Sequence, residues 1–496
     1  MSAQPRPLRV LSLNCWGLKF VADKRRERLL AIADWIATHS NPLSSSSSRN
    51  DDDDEERAFA ASVSPGDSLA FQSYSQGGPY DVIALQEIWV RADFDVATRF
   101  PFSGAIGSGL AILSAHPIVS SFITPYALNG YPLHFIAGDF FAGKSICGCT
   151  IDLGADVGST RLVDVLNTHM FAPGGEGDGI DGAHRVAQAW QLNEVVKEKL
   201  ERGRHVLLVS PKTDESSSHF RGHFLISGAR SPLQMGDFNS QPYSIIMRIL
   251  ESGASLSDAW ALTNQAPPSI TSIAHRKLTP VQTMLVHGIT CDSPLNTYSA
   301  AKLAKRHPRD ETRIRGGKRL DYILFRSPPT ASSKLQVEST KIVLTEPVPG
   351  LGVSYSDHFG LAATFSFQPQ TPTTEHVSHS NQGSRGSISS EDLSTMLKNL
   401  MMAYRHALEC QKRQFQLFVL ALFLVPVLAI AASYQPLRGA LSWLFVVLGT
   451  AVGASGATML YTGFVGGNWE RGALRNVIAD IEAEMERRDG DGQVRR

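Results

Sequence analysis

Residues 81–89 read Asp81-Val-Ile-Ala-Leu-Gln-Glu87-Ile-Trp89, a short apolar run that ends on a carboxylate. An apolar run of four to eight residues is the mark of a buried strand, and the end of such a strand can deliver a polar side chain to a cleft. The pattern recurs along the chain. Leu11-Ser-Leu-Asn14 presents Asn14, Val165-Leu-Asn167-Thr-His169 presents Asn167 and His169, and Met235-Gly-Asp237-Phe-Asn239 presents Asp237 and Asn239. Lys318-Arg-Leu-Asp321 and Ser356-Asp357-His358 complete the set. Each alone is ordinary, since a strand-end Glu is usually solvated and Asp-His is a common turn. Together, in this order, they predict one polar cleft fed by several strands.

Further apolar runs at Gly109–Leu113, His205–Leu208 and Gly360–Phe367 continue the strand pattern, and helical periodicity interrupts it at Arg26–Thr38 and Arg185–Leu200. Many strands with few helices predict one α/β or α+β domain over residues 1–367. Two stretches read as insertions. Residues 41–78 hold Ser44–Ser48 and six consecutive acids, Asp51–Glu56, and consecutive like charges favour a disordered loop over a calcium site. Residues 209–234 separate His205-Val-Leu-Leu208 from the Gly-Asp-Phe-Asn turn. That segment begins with Val (codon GTN) and ends with Gln (CAA or CAG), the boundaries of a translated intron; a surface loop at the strand's end is the alternative.

The 496 residues carry 47 Lys+Arg and 47 Asp+Glu, so no basic excess points to a nucleic-acid coat. Hydrophobic residues at 43% exclude a wholly disordered chain. Cys15, Cys147, Cys149, Cys291 and Cys410 are scattered and form no CxxC, so neither a zinc site nor a disulfide framework is expected, and a reducing compartment is. Met1–Arg9 is polar and proline-bearing, unlike a secretory signal.

The chain's last fifth differs. Residues 415–433 and 441–465 are free of charge and long enough to cross a bilayer, which takes roughly 20 apolar residues. Gly449, Gly453 and Gly456 offer a small-residue surface for close packing. Lys412, Arg413, Arg471 and Arg475 flank the pair while the connecting turn holds only Arg438, so both ends are expected in the cytosol. Residues 368–390 read as a linker. Residues 391–413 and 470–496 repeat apolar positions at helical spacing, which fits either contact with the membrane surface or packing of the two helices on each other.

In these motifs the chain resembles the endonuclease/exonuclease/phosphatase superfamily over roughly residues 7–368. The resemblance implies an α+β, deoxyribonuclease I-like fold: a two-layer β-sandwich flanked by helices, here followed by a transmembrane helical hairpin. The hairpin, Gly107–Pro117, Gly288–Thr297 and Gly138-Asp139-Phe-Phe-Ala-Gly-Lys144 further resemble neutral sphingomyelinases and the fungal inositol phosphosphingolipid phospholipases C. That likeness implies Mg²⁺ held by Glu87 with Asn14, a hard ion suited to oxygen donors. It implies His358 as general base oriented by Asp321, with Asp357 supporting metal or base. Asp237 and Asn239 would bind the pentacovalent phosphate, with Asn167 and His169 donating to it; Asp237 and His169 both stand as donors to the leaving group. Asp139 and Lys144 would form a switch, Lys144 meeting either the substrate phosphate or Asp139. The implied partner is a sphingolipid in the membrane, with inositol phosphate favoured over phosphocholine as head group, and anionic phospholipids as activators through basic residues at 398, 405, 412 and 413. No nucleic-acid partner is implied, oligomeric state stays open, and the membrane expected is that of the endoplasmic reticulum or mitochondria. A membrane-anchored nuclease, an inositol-polyphosphate phosphatase and an inactive scaffold of the same fold are the alternatives.

Overall fold

A computed structural model of the chain describes residues 6–18, 21–40, 80–88, 98–99, 102–134, 138–156, 159–172, 179–210, 240–264, 278–307, 310–370, 387–434 and 439–494. Strand β1 (Leu8–Asn14) runs parallel to β2 (Val82–Gln86), with Asn14 level with Gln86. β3 (Thr98–Arg99) and β4 (Ala111–Ser114) extend this sheet on one side, and β12 (Gly360–Pro369) with β11 (Ser333–Val343) on the other, in the order β11-β12-β1-β2-β4-β3. The second sheet has the order β5-β6-β7-β8-β10-β9. Its strands are β5 (Ile118–Pro125), β6 (Ser145–Asp156), β7 (Ser159–Thr168), β8 (His205–Ser210), β9 (Ser257–Asp258) and β10 (Tyr322–Arg326).

The sheets close face to face over one core. Val10, Val82 and Ile112 of the first meet Cys149, Val165, Leu207 and Ile323 of the second. Helix α1 (Arg25–Ser40) lays Leu29, Ile32 and Ile36 on the outer face of the first sheet. Helix α2 (Gly179–Glu201) covers the outer face of the second through Val186, Ala189 and Leu192. Strands covered on both faces need apolar side chains on both, so they read as continuous runs rather than alternating ones. The fold is the expected α+β sandwich flanked by helices.

β8 continues through Val209 and Ser210, which pair with Ile323 and Tyr322 of β10, so the first two residues of the segment read as an insertion belong to the sheet. The remainder of that segment, all of 41–78, and both Asp237 and Asn239 lie outside the described residues.

Helix α3 (Ser390–Tyr434) runs unbroken from the amphipathic stretch into the first apolar span; the Ser389 hydroxyl caps it by accepting from the Asp392 amide at 3.0 Å. Helices α4 (Ser442–Tyr461) and α5 (Gly467–Val494) follow, joined by one π-helical turn. Leu393, Met396, Leu400, Ala403 and Ala407 of α3 share a core with Val186 and Trp190 of α2 and with Leu474 and Ile481 of α5. Periodicity offered the membrane surface or a partner helix; the structure gives the stripe to α5 and to the sandwich's own α2 together. Farther along, α3 and α4 expose apolar side chains such as Leu422, Phe423, Val446 and Val447, and both helices are long and apolar enough to cross a membrane. Close packing falls at Gly456, where an added Cβ would come within 2.6 Å of the Ala421 Cβ, while one at Gly449 would meet nothing within 4 Å.

His205 opens β8 buried, its Nδ1 3.0 Å from the Ser327 hydroxyl, and burial lowers its pKa to about 4. The ring is then neutral in the folded state while the unfolded ring takes a proton below about 6.5, so stability is complete above that pH and drains away as pH falls toward 4. The loss by pH 5 should be about 2 kcal/mol. Denaturant titrations at pH 7.5 and 5 should show that loss, and a His205→Phe variant should show less of it.

Candidate active site

The parallel pairs β1/β2 and β7/β8 end at the same edge of the sandwich, and β10 and β12, antiparallel to their neighbours, begin there. That topology gathers polar residues separated by more than three hundred positions in sequence.

Asn14 and Glu87 meet directly: the Asn14 Nδ2 donates to Glu87 Oε1 at 2.9 Å, and its Oδ1 accepts from the Trp16 amide at 2.8 Å. Glu87 takes the left-handed backbone region at φ 57°, and Trp16 does so at 46°, conformations that cost non-glycine residues free energy and concentrate at working sites. The two turns nest so closely that a Cβ on Gly17 would lie 2.3 Å from the Glu87 carbonyl oxygen. Burial first, and then the Asp357 charge, raise the Glu87 carboxyl to about 8, although Lys144, His358 and the Asn14 hydrogen bond work the other way. A buried carboxyl so short of positive charge is what a hard divalent cation would relieve. Among the described residues no group of three or more His, Cys, Asp or Glu side chains could hold a metal ion, and the oxygen donors that meet here are the Glu87 carboxylate and the Asn14 amide. Such a sparse set fits Mg²⁺, which keeps several of its waters.

His358 is fully buried, and its Nδ1 lies 3.0 Å from Asp321 Oδ2. Burial disfavours the charged ring, but Cys291 and Asp321 outweigh it and hold the pKa well above the usual imidazole range. The segment after Gly288 ties both partners down. Thr290 Oγ1 accepts from the Asp321 amide at 3.3 Å, its carbonyl accepts from the Phe359 amide at 2.9 Å, and Asn296 Nδ2 donates to the Ser356 carbonyl at 2.8 Å.

Asp139 and Lys144 are both buried and form an ion pair at 3.1 Å. The Lys144 ammonium also reaches His169, 2.6 Å from Nε2. Burial, then the Lys144 and His358 charges, hold the His169 pKa well below its usual value, so this ring is neutral. Asn167, implied as a donor to phosphate, lies where the two sheets meet. Both its amide hydrogens go to main-chain carbonyls of the first sheet, Leu85 and Ala111, at 2.9 Å each, and its Oδ1 accepts from Gln86 Nε2 at 2.6 Å. It bolts the second sheet to the first beneath the cleft.

Sequence reading missed Gln86, and missed Arg28. Fully buried on α1, Arg28 donates to the carbonyls of Asp23, Cys15, Trp16 and Tyr355 at 2.8–3.1 Å and stacks on Trp16 with 4.7 Å from Cζ to the ring centroid. It clamps the turn after Asn14 to the turn before Asp357, and nothing in the spacing of a helical arginine announces that. Arg28→Met strands four carbonyls, so it should lose on the order of 3 kcal/mol of stability and about tenfold or more in kcat. Chemical denaturation and kinetics would check this, with Arg28→Lys recovering part of both.

Fold and site together define a class, and residues 11–358 match the endonuclease/exonuclease/phosphatase family. An inositol phosphosphingolipids phospholipase C of Schizosaccharomyces pombe is 31% identical over 385 residues, covering 75% of this chain and 71% of that protein. Its namesake in Saccharomyces cerevisiae is 33% identical, covering 73% of this chain and 65% of that protein. Sphingomyelin phosphodiesterase 2 of Rattus norvegicus is 24% identical, covering 77% and 70%. Within the class, the chain belongs to the family of the inositol phosphosphingolipid phospholipases C and neutral sphingomyelinases.

Proposed function

We propose that the chain is a membrane-held, Mg²⁺-dependent phospholipase C that cleaves a sphingolipid phosphodiester to ceramide and a phosphorylated head group. The observation that carries this reading is the buried ring of Glu87–Asn14, His358–Asp321 and Asp139–Lys144–His169 at one edge of the sandwich. Glu87 and Asn14 would hold the ion, which when bound supplies charge to the phosphate and the departing alkoxide. Asp321 fixes the imidazole through Nδ1 and leaves Nε2 to take a proton from the attacking water. The Lys144 ammonium, taken out of bulk water, would meet phosphate charge and exchange that contact for Asp139. A neutral His169 suits a hydrogen bond to phosphate better than proton donation. Asp237 and Asn239 are assigned to the transition state and Asp357 to supporting the metal or base.

Likeness to the two yeast proteins supports inositol phosphate as the head group. The exposed side chains of Lys398, Arg405, Lys412 and Arg413 support attraction to anionic lipid, each worth about 1 kcal/mol near such a surface. The 415–433 and 441–465 spans would cross the membrane with the catalytic domain on the cytosolic side, and protease added to sealed microsomes should then remove that domain. Detergent-solubilised protein incubated with inositol phosphosphingolipid or sphingomyelin, with and without Mg²⁺, should release ceramide faster from the first and only with the ion. Failure to release ceramide from either would overturn the assignment.

We also propose that residues 209–234 are absent from the main functional protein. Excision would bring Met235 and Gly236 to the register positions of Val209 and Ser210 and carry β8 straight into Asp237. Transcripts reading continuously through those codons in most mature messages would refute this.

A further inference from the structure

Three large apolar side chains stand exposed beside the Asp139–Lys144 pair: Phe102 at 68%, Ile106 at 47% and Phe140 at 38%. Single exposed apolar residues are commonplace and call for no explanation, but a group on adjoining loops next to a site marks an interaction surface. These loops are fastened together. The amides of Ala105 and Ile106 both donate to the Phe141 carbonyl, at 2.8 and 3.1 Å. Gly104 and Gly143 approach so closely that a Cβ on Gly104 would lie 2.6 Å from the Gly143 nitrogen. Both glycines have positive φ, so the contact is fixed twice over, by conformation and by space.

The same region touches the foot of the helical hairpin. The Trp469 indole, itself exposed, donates to the Ala127 carbonyl at 2.8 Å, and a Cβ on Gly466 would lie 3.3 Å from Pro132. Near Pro132 the His134 amide donates to the Tyr131 carbonyl at 3.0 Å, and the Gly138 amide, two residues before Phe140, donates to the His134 carbonyl at 3.4 Å. Gly466 directly follows Phe464 and Val465, the exposed apolar end of the second span, and an exposed indole one turn later is typical of the membrane–water boundary. With the hairpin crossing a bilayer, Pro132 would lie at the depth where the second span leaves hydrocarbon, and the Gly138–His134 hydrogen bond would tie the Phe140 loop to it.

We propose that Phe102, Ile106 and Phe140 dip into the headgroup–acyl boundary of the bilayer that the hairpin crosses, pressing the mouth of the site onto it. The lipid phosphate would then reach Lys144 while its acyl chains stay in the membrane. The inference rests on the reading that the hairpin spans the bilayer.

The test uses the full chain reconstituted in phosphatidylcholine vesicles. In a Cys410→Ser background, the other cysteines being buried, a nitrobenzoxadiazole dye is attached in turn at Phe102→Cys, Ile106→Cys, Phe140→Cys and, within the second span, Val446→Cys. Phosphatidylcholine brominated high on its chains should quench the three loop dyes about twofold while aqueous iodide does not reach them. Quenching at 446 with loop dyes open to iodide would overturn the inference and leave the spanning hairpin standing; loss of quenching at 446 as well would remove the hairpin reading first. Loop dyes shielded from iodide yet not quenched would mean that protein covers the patch, and would equally overturn the inference. In a second measurement, the triple variant Phe102→Ser, Ile106→Ser, Phe140→Ser should lose about tenfold in hydrolysis of bilayer sphingolipid and keep wild-type turnover of a short-chain, water-soluble analogue. Equal loss on both substrates would overturn it.

Discussion

Glu87→Ala should lower ceramide release by about a thousandfold or more at saturating Mg²⁺, because a divalent charge opposite phosphate is worth several kcal/mol and each 1.36 kcal/mol is tenfold in rate. A readout independent of turnover accompanies it. Mg²⁺ should raise the wild-type melting temperature by mass action, and the variant should lose that rise. The metal-free variant should also be more stable than metal-free wild type at pH 7. A carboxyl raised to about 8 by burial and the Asp357 charge costs the folded state free energy at every pH above its unfolded value near 4.5. A folded Glu87→Ala protein with full Mg²⁺-dependent activity would remove Glu87 from the metal site. So would a melting temperature that still climbs with the ion.

The second large effect is expected at His358. Alanine there removes the proton acceptor, and general-base catalysis is worth roughly 10² to 10⁴ in rate. Asp321→Asn is the sharper variant, since it keeps a hydrogen-bonding side chain against Nδ1 but removes the charge that, with Cys291, holds the ring's pKa up against burial. Base catalysis needs the neutral ring, so wild-type kcat/KM should climb with pH through an acid limb lying above 6.5. In Asp321→Asn the maximal rate should fall while the limb moves to lower pH, because burial then acts with one opposing charge fewer. A limb that stays in place would show that another group sets the profile.

The strand-end motifs were legible for a physical reason. A buried strand must be apolar, and a polar residue at its end stands out against that run, so Asn14, Glu87, Asn167, His169, Asp321 and His358 all stand out in the sequence alone. The edge-of-sheet gathering could not be read from spacing, and neither could the use made of each polar group. Asn167 and Lys144 illustrate the difference. Both occupy motif positions, yet one spends its amide hydrogens on the opposite sheet's carbonyls while the other reaches His169 beside the end of the neighbouring strand. Asp237 and Asn239, the remaining motif positions, lie outside the described residues.

By itself the sequence marked the apolar strands that carry the ordered polar motifs, though not β3, β5, β6, β9 or β11, and it marked two charge-free stretches long enough to cross a bilayer. Those are properties of local composition and period, written within one short stretch of chain at a time. Only the tertiary structure decided who partners whom. The apolar stripe of α3 became a shared core with α2 and α5, Arg28 became the clamp between the turn after Asn14 and the turn before Asp357, and Phe102, Ile106 and Phe140 came to stand exposed on adjoining loops. An amphipathic face or a buried guanidinium states that it needs a partner; which partner depends on contacts between segments far apart in the chain, and those exist only once the sheets have closed.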